Sequence, residues 1–239
     1  MTFSKHQREL NHLGFSVIAD IYTPEEIRLI VNTINQADTT NSTFRKSKDL
    51  FAIRQFLREI PDARALIFNS NLKSIIENVF GNNYFLVKSI YFDKPAQSNW
   101  FVAYHQDLTI SVDKRKELEN YGPWTVKQNQ FAVQPPIKVL QNIFTIRIHL
   151  NNTDGDNGAL KVVPTSQQKG IYRPETINWD IETEISCDVL KGGVMIMKPL
   201  LLHSSSRTTN NEKRRVIHLE FSDMELPEGL KWAERLAIN

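Results

Sequence analysis

The sequence predicts an α+β fold, mainly β, on three observations. Helical periodicity is confined to the first third of the chain. Beyond it come short apolar or alternating runs, broken by Pro, Gly, Asn and Asp. The 239 residues, 41% hydrophobic and 23% charged, suit one large domain with a sizeable core. Helices first and strands after place the helices on one face of the sheets.

The elements follow in order. Phe3 to Leu13 reads as a short helix stopped by Gly14, and Phe15 to Ala19 as a strand. Thr23-Pro24-Glu25-Glu26 opens a second helix: Thr23 caps it, Pro24 fits the first helical position and Glu26 completes a capping box. Ile27, Ile30, Val31 and Ile34 then form its buried stripe. Asn71 to Phe80 is a further helix, with Ser70 as expected cap and Gly81 as stop. The expected strands are Tyr84 to Asp93, Phe101 to Ile110, Ile143 to Asn151, Ala159 to Val163, Val194 to Lys198, Leu201 to Ser205 and Arg214 to Ser222. Many short strands at such spacing suggest a sandwich or barrel. Two stretches, Asp113 to Val139 and Thr165 to Glu184, read as loops long enough to be functional.

Composition excludes several classes. A net charge of +2 with scattered basic residues argues against nucleic acid or a membrane surface as a partner. The single cysteine, Cys187, forms no internal disulfide and is expected to be a passive residue near a strand. The polar N-terminus and the lack of a long apolar run lead to an expectation of a cytoplasmic protein.

Of six histidines, His6 and His12 fall in the first helical segment and are expected at the surface. The other four lie on or beside strands. Residues two apart on a strand share a face, so His105 and Asp107 can present an imidazole and a carboxylate to one metal ion. His203 opens another strand and supplies a second imidazole. Two histidines and one carboxylate leave coordination positions open, as non-haem Fe(II) oxygenases require; catalytic zinc uses the same donor types. Arg214 opens the last strand. Alternation there puts Ile217, Leu219 and Phe221 beneath the helices and turns Arg214, Val216, His218 and Glu220 into the barrel. A guanidinium so placed can grip a carboxylate bidentately.

The set His105-Gln106-Asp107, His203-Ser204-Ser205 and Arg214 resembles the phytanoyl-CoA dioxygenase family, including its ectoine hydroxylase relatives. The stretch Asp156-Asn157-Gly158-Ala159-Leu160-Lys161-Val162-Val163-Pro164-Thr165-Ser166-Gln167 resembles that family's ENGALRVIPGSH. The resemblance runs from about Phe15 to Phe221. It implies a double-stranded β-helix, a cupin-like jelly roll, over 83–223, with N-terminal helices 1–82 packed on it, all in one domain, 1–239. It implies Fe(II) held by His105, Asp107 and His203. It implies 2-oxoglutarate as co-substrate, with Arg214 on the distal carboxylate, Ser205 assisting, Gln106 near the co-substrate and Lys88 as a further co-substrate residue. The implied reaction consumes O2 and hydroxylates a small-molecule metabolite with release of succinate and CO2.

Where the family often reads Gly-Ser-His, this chain has Thr165-Ser166-Gln167. Nothing in the two long loops ties to a coenzyme A thioester, so that substrate is not carried over. Arg147, His149 and His218 are candidates for the substrate end of the barrel, where a positive lining suits a carboxylate- or phosphate-bearing substrate; a polar network inside the barrel, or an ion pair of Arg147 with Glu220, is the plainer reading. Two other functions fit parts of the pattern. A cupin-like metal enzyme without a keto-acid co-substrate would keep the triad and have no use for Arg214. The other is a non-catalytic small-molecule binding module on the same barrel, and the intact triad argues against it. The primary substrate, the position oxidised and the oligomeric state are not encoded in any motif of the sequence.

Overall fold

The structure, a computed structural model, describes residues 3–38, 44–47, 51–127, 130–227 and 229–238. The elements, in chain order, are α1 (Phe3–His12), β1 (Phe15–Ile18), α2 (Pro24–Asn35), β2 (Phe44–Lys46), β3 (Phe51–Arg54), α3 (Phe56–Glu59), α4 (Ala63–Ile67), α5 (Ser70–Val79), β4 (Phe85–Lys94), β5 (Val102–His105), β6 (Ile110–Val112), β7 (Trp124–Lys127), β8 (Gln130–Val133), α6 (Ile137–Asn142), β9 (Phe144–His149), β10 (Leu160–Val162), β11 (Ile185–Cys187), β12 (Val194–Met197), β13 (His203–Ser205) and β14 (Arg214–Ser222). A seven-stranded sheet runs β1-β12-β9-β14-β4-β3-β2, and a four-stranded sheet runs β11-β10-β13-β5. Every strand pair is antiparallel. The mainly antiparallel β architecture with a few helices is that of a jelly roll, and it is not a closed barrel.

Alternation along the large sheet separates two environments. Ile217, Leu219 and Phe221 of β14 join Phe144, Ile146 and Ile148 of β9 and Ile196 of β12 in one apolar cluster with Ile27, Ile30 and Ile34 of α2 and Leu72, Ile75 and Ile76 of α5. All of these are 5% exposed or less, so the helices cover the outer face and the hydrophobic effect fixes the sheet's orientation. The opposite face of the same strands carries Thr145, Arg147, His149, Arg214, His218 and Glu220, all buried. These polar residues are the inner wall. A one-residue slip of β14 would exchange the two sets, so the apolar alternation also holds the site residues in place.

The helix starts follow local chemistry. Thr23 caps α2 with a full capping box to Glu26. At α5 the cap is Asn69 rather than the expected Ser70, because the Asn69 side chain accepts from the Leu72 amide at 2.9 Å. His6 is also not at the surface: it is 8% exposed, and its Nδ1 meets Ser16 Oγ at 2.8 Å, which ties α1 to β1. Cys187 is buried on β11.

The expected strand Phe101 to Ile110 divides in two. The chain leaves the four-stranded sheet after His105 and re-enters a separate three-stranded sheet, β6-β8-β7, at Ile110. The stretch expected as one loop, 113–139, therefore contains β7, β8 and the start of α6; residues 128 and 129 lie outside the described residues. Its order comes from a second apolar cluster, in which Val112, Val133, Val139 and Leu140 pack with Leu200 and Trp232. Among the described residues, no helix is long and apolar enough to cross a membrane.

Candidate metal and co-substrate site

His105 ends β5 and His203 opens β13, and the two residues are directly paired across the strands. Their rings lie 4.2 Å apart, centroid to centroid. Each imidazole directs Nδ1 at a backbone carbonyl two residues earlier, His105 at Ala103 O and His203 at Leu201 O, both at 2.9 Å. A carbonyl only accepts, so Nδ1 carries a proton, and in the neutral ring Nε2 is the atom with the free lone pair. That lone pair faces Asp107: His105 Nε2 is 3.9 Å from Oδ1 and His203 Nε2 is 3.8 Å from Oδ2. One ligand atom from each of the three side chains falls within 4.8 Å of the others.

Asp107 Oδ2 is buried and has no hydrogen-bond partner. An orphaned carboxylate oxygen is costly unless something compensates it. Two imidazole lone pairs and a carboxylate make a donor set that a divalent ion fits, with the orientation of both imidazoles fixed by the carbonyls behind them. Burial pushes the Asp107 carboxyl up, but His203, His218 and His105, each when protonated, and the Lys88 ammonium outweigh that and hold it well below the usual carboxylate range. Burial lowers His203 to about 4, so its ring is neutral at physiological pH. Both states suit metal binding.

Arg214, at the start of β14, is 3% exposed. Its Nη1 donates to the Gly158 carbonyl, and Ser205 Oγ donates to the same oxygen at 2.9 Å. The family-like stretch acquires a physical meaning here. Asp154 caps the turn Gly155–Asn157, Gly158 takes φ +85°, and its carbonyl turns inward to receive both donors. Lys94, a residue that sequence reasoning passed over, is the cross-strand partner of Arg214. It is fully buried and donates to Ser206 O. Burial, then the neighbouring Arg214, lowers it to about 7. Its even spacing from Lys88 along β4 was the available signal.

Toward the other end of the same wall, Lys88 is paired with Glu220 at 2.7 Å. His218 Nε2 meets the same Glu220 oxygen at 2.9 Å, and its Nδ1 meets Arg147 Nη1 at 3.1 Å. Arg147 and Glu220 thus do not pair directly; His218 stands between them. Burial lowers Arg147 to about 10. His149 Nδ1 meets Thr153 Oγ1 at 2.8 Å, leaving a buried, unpartnered Nε2.

Gln106 points away from the triad. Its Nε2 donates to Gly170 O and Leu200 O, at 2.8 and 2.5 Å, and its Oε1 accepts from the Tyr172 amide at 2.8 Å. It ties the 165–184 segment to the chain that carries Asp107 and His203. At the family departure, Thr165 occupies the left-handed region at φ 68°, and the Gln167 and Gln168 amides both donate to His12 O at the end of α1. Trp179 lies against the Tyr104 ring at 5.6 Å, Trp100 lies under the Lys94 ammonium at 5.7 Å, and Trp124 packs in the second apolar cluster.

A jelly roll with an imidazole–carboxylate–imidazole centre and a buried guanidinium beside it defines a class, the jelly-roll metalloenzymes. Within it, the chain belongs to the phytanoyl-CoA dioxygenase (PhyH) family, whose model matches residues 10–216; the function is of the dioxygenase type. No curated protein sequence matches the chain. Solved structures share the fold at low identity. The apo form of EctD from S. alaskensis is 15% identical, with a TM-score of 0.70 over 92% of this chain and 76% of that one. The non-heme alpha ketoglutarate dependent epimerase SnoN from nogalamycin biosynthesis is 13% identical, with a TM-score of 0.69 over 92% and 83%. HygX from Streptomyces hygroscopicus, solved with nickel, 2-oxoglutarate and hygromycin B, is 14% identical, with a TM-score of 0.64 over 91% and 86%.

Proposed function

We propose that this protein is an Fe(II)- and 2-oxoglutarate-dependent dioxygenase that hydroxylates a small-molecule metabolite and releases succinate and CO2. The observation that carries the reading is the convergence of His105 Nε2, His203 Nε2 and the Asp107 carboxylate, with both Nδ1 atoms anchored on backbone carbonyls. Family membership supports it, as do the keto-acid-binding structures HygX and SnoN that share the fold.

In this reading His105, Asp107 and His203 hold the ion. When bound, iron with the keto acid supplies the oxidising chemistry. The residues of this chain do the rest. Arg214 keeps Nη1 on Gly158 O, where Ser205 also donates, and receives the distal carboxylate of the co-substrate with its remaining N–H donors. His149, whose Nε2 is unpartnered, together with Arg147 and His218, lines the remaining inner wall toward the substrate. Gln106 holds the 165–184 segment in place through Gly170 and Tyr172. Lys88 is neutralised by Glu220 and acts through it on the wall.

The test is succinate formation from 2-oxoglutarate with Fe(II) and O2 present, first without a primary substrate and then with candidate metabolites. It should disappear in His203→Ala. Arg214→Ala should raise the KM for 2-oxoglutarate by about tenfold or more. Activity that is indifferent to Arg214→Ala would point instead to a metal enzyme with no keto-acid co-substrate.

A further inference from the structure

Arg147 sits in the middle of the inner wall with no carboxylate in direct contact; Asp107 acts on it only through space. Its cross-strand neighbours are Met195 on β12 and His218 on β14. It is 7% exposed. Its one hydrogen bond between side chains goes to His218 Nδ1, and its Nε is buried without a partner. Among the described residues neither Arg147 nor Arg214 forms an ion pair. A guanidinium buried this way is expensive unless an anion arrives to meet it.

The hydrogen-bond directions around it are determined. An arginine N–H only donates, so His218 Nδ1 accepts. The proton of the neutral ring is then on Nε2, which donates to Glu220 Oε1, and Lys88 donates to the same oxygen. The chain Arg147–His218–Glu220–Lys88 therefore holds Arg147 through an accepting ring nitrogen and gives it no carboxylate contact of its own, since Glu220 is already held by Lys88.

Formal charge then decides what the cavity lacks. This step rests on the dioxygenase reading. A divalent ion, two guanidiniums and the ammonium groups of Lys88 and Lys94 oppose the Asp107 and Glu220 carboxylates. A dicarboxylate co-substrate leaves the wall with a net positive charge. Arg214 and the adjoining Lys94 lie at the end assigned to the distal carboxylate, so Arg147 is the cation left to meet the substrate. A planar carboxylate matches the fork of its guanidinium. We infer that the primary substrate carries a carboxylate and that Arg147 is the specificity-determining residue that receives it.

The experiment uses the intact protein, loaded anaerobically with Fe(II) and 2-oxoglutarate, and follows the visible charge-transfer band of the iron–keto-acid chelate together with thermal stability. The probes are butyrate, hexanoate and benzoate, each beside its amide. The carboxylates should perturb the band and raise the melting temperature, and the amides should bind about tenfold or more weakly. Arg147→Gln should keep the band and lose the preference; Arg147→Lys should keep both. Equal responses to acids and amides, or no response to any probe, overturn the inference. Loss of the band itself in a folded Arg147→Gln protein reassigns the residue to the keto acid and also overturns it. If that variant does not fold, the acid–amide pairs on wild-type protein and Arg147→Lys decide. If no band forms in wild type, the dioxygenase reading itself has failed, and the inference goes with it.

Discussion

The guanidinium of Arg214 donates to the main-chain carbonyl of Gly158, a residue 56 positions earlier in the chain. This contact joins the strand that bears the candidate co-substrate anchor to the turn before β10. Ser205, two residues past the metal-facing His203, donates to the same oxygen. One carbonyl thus aligns the metal-ligand strand and the anchor strand, and it can do so only while Gly158 keeps its left-handed conformation.

Gly158→Ala tests that dependence. At φ +85° a Cβ is strained, and an ideal one would lie 2.7 Å from both Lys94 Nζ and Ser206 O. The lysine tip can move; the backbone carbonyl cannot do so cheaply. The expected cost is about 1–3 kcal/mol of stability, read by urea denaturation. The KM for 2-oxoglutarate should rise as well, because Arg214 loses its alignment. A variant as stable as wild type would show that the turn is not needed.

Metal binding should be visible as stability. Ni(II), which does not support turnover, should raise the melting temperature of the apoprotein. At a hundredfold excess over Kd, mass action predicts about 2.7 kcal/mol. His203→Ala should abolish the gain. Asp107→Asn should weaken it and also cost the apoprotein stability, since the positive groups that hold the carboxyl below its usual range lose their partner. A metal-induced shift of the same size in His203→Ala would place the ion elsewhere.

The sequence made the inner wall of β14 legible because alternation there is strict: apolar Ile217, Leu219 and Phe221 outward, polar Arg214, His218 and Glu220 inward. His105 and Asp107 were legible as residues two apart, although β5 ends at His105 and Asp107 lies just past its end. Partners on neighbouring strands were not. That Lys94 faces Arg214, and that His218 separates Arg147 from Glu220, depends on strand register, which no local pattern encodes. The strands β7 and β8 were missed because their order comes from packing against Leu200 and Trp232, far away in sequence. His6 reads as a surface residue until β1 supplies Ser16 beneath it.

Gln106 is a residue whose neighbours in sequence suggest chemistry while its contacts suggest architecture. Its amide makes three hydrogen bonds, two of them to Gly170 O and the Tyr172 amide. Gln106→Leu strands those buried groups and should cost about 1–3 kcal/mol locally. Amide hydrogen exchange over residues 170–172 should accelerate, and the segment should become more susceptible to proteolysis. Metal affinity in the absence of keto acid should change little. Unchanged exchange at Tyr172 with a raised KM for 2-oxoglutarate would assign the residue to the co-substrate instead.

Glu234 gives the fold a dependence on pH. It lies in the C-terminal segment that bridges to β4 through Leu236 and Leu86. It is 8% exposed, it accepts from Ser89 Oγ at 3.0 Å, and its Oε2 is buried without a partner. Burial, with a smaller push from Glu220, raises its carboxyl from 4.5 to about 7, against the opposing pull of Ser89 and Lys88. A carboxyl raised on folding favours the protonated form in the native state. Its contribution is therefore complete below about pH 4.5 and is lost as pH rises through about 7. The difference amounts to roughly 3 kcal/mol. Urea denaturation near pH 5 and near pH 8 should show wild type losing more stability over that interval than Glu234→Gln, which carries no charge to bury. Parallel pH profiles for the two proteins would mean that Glu234 is ionised in the native fold at both ends of the range.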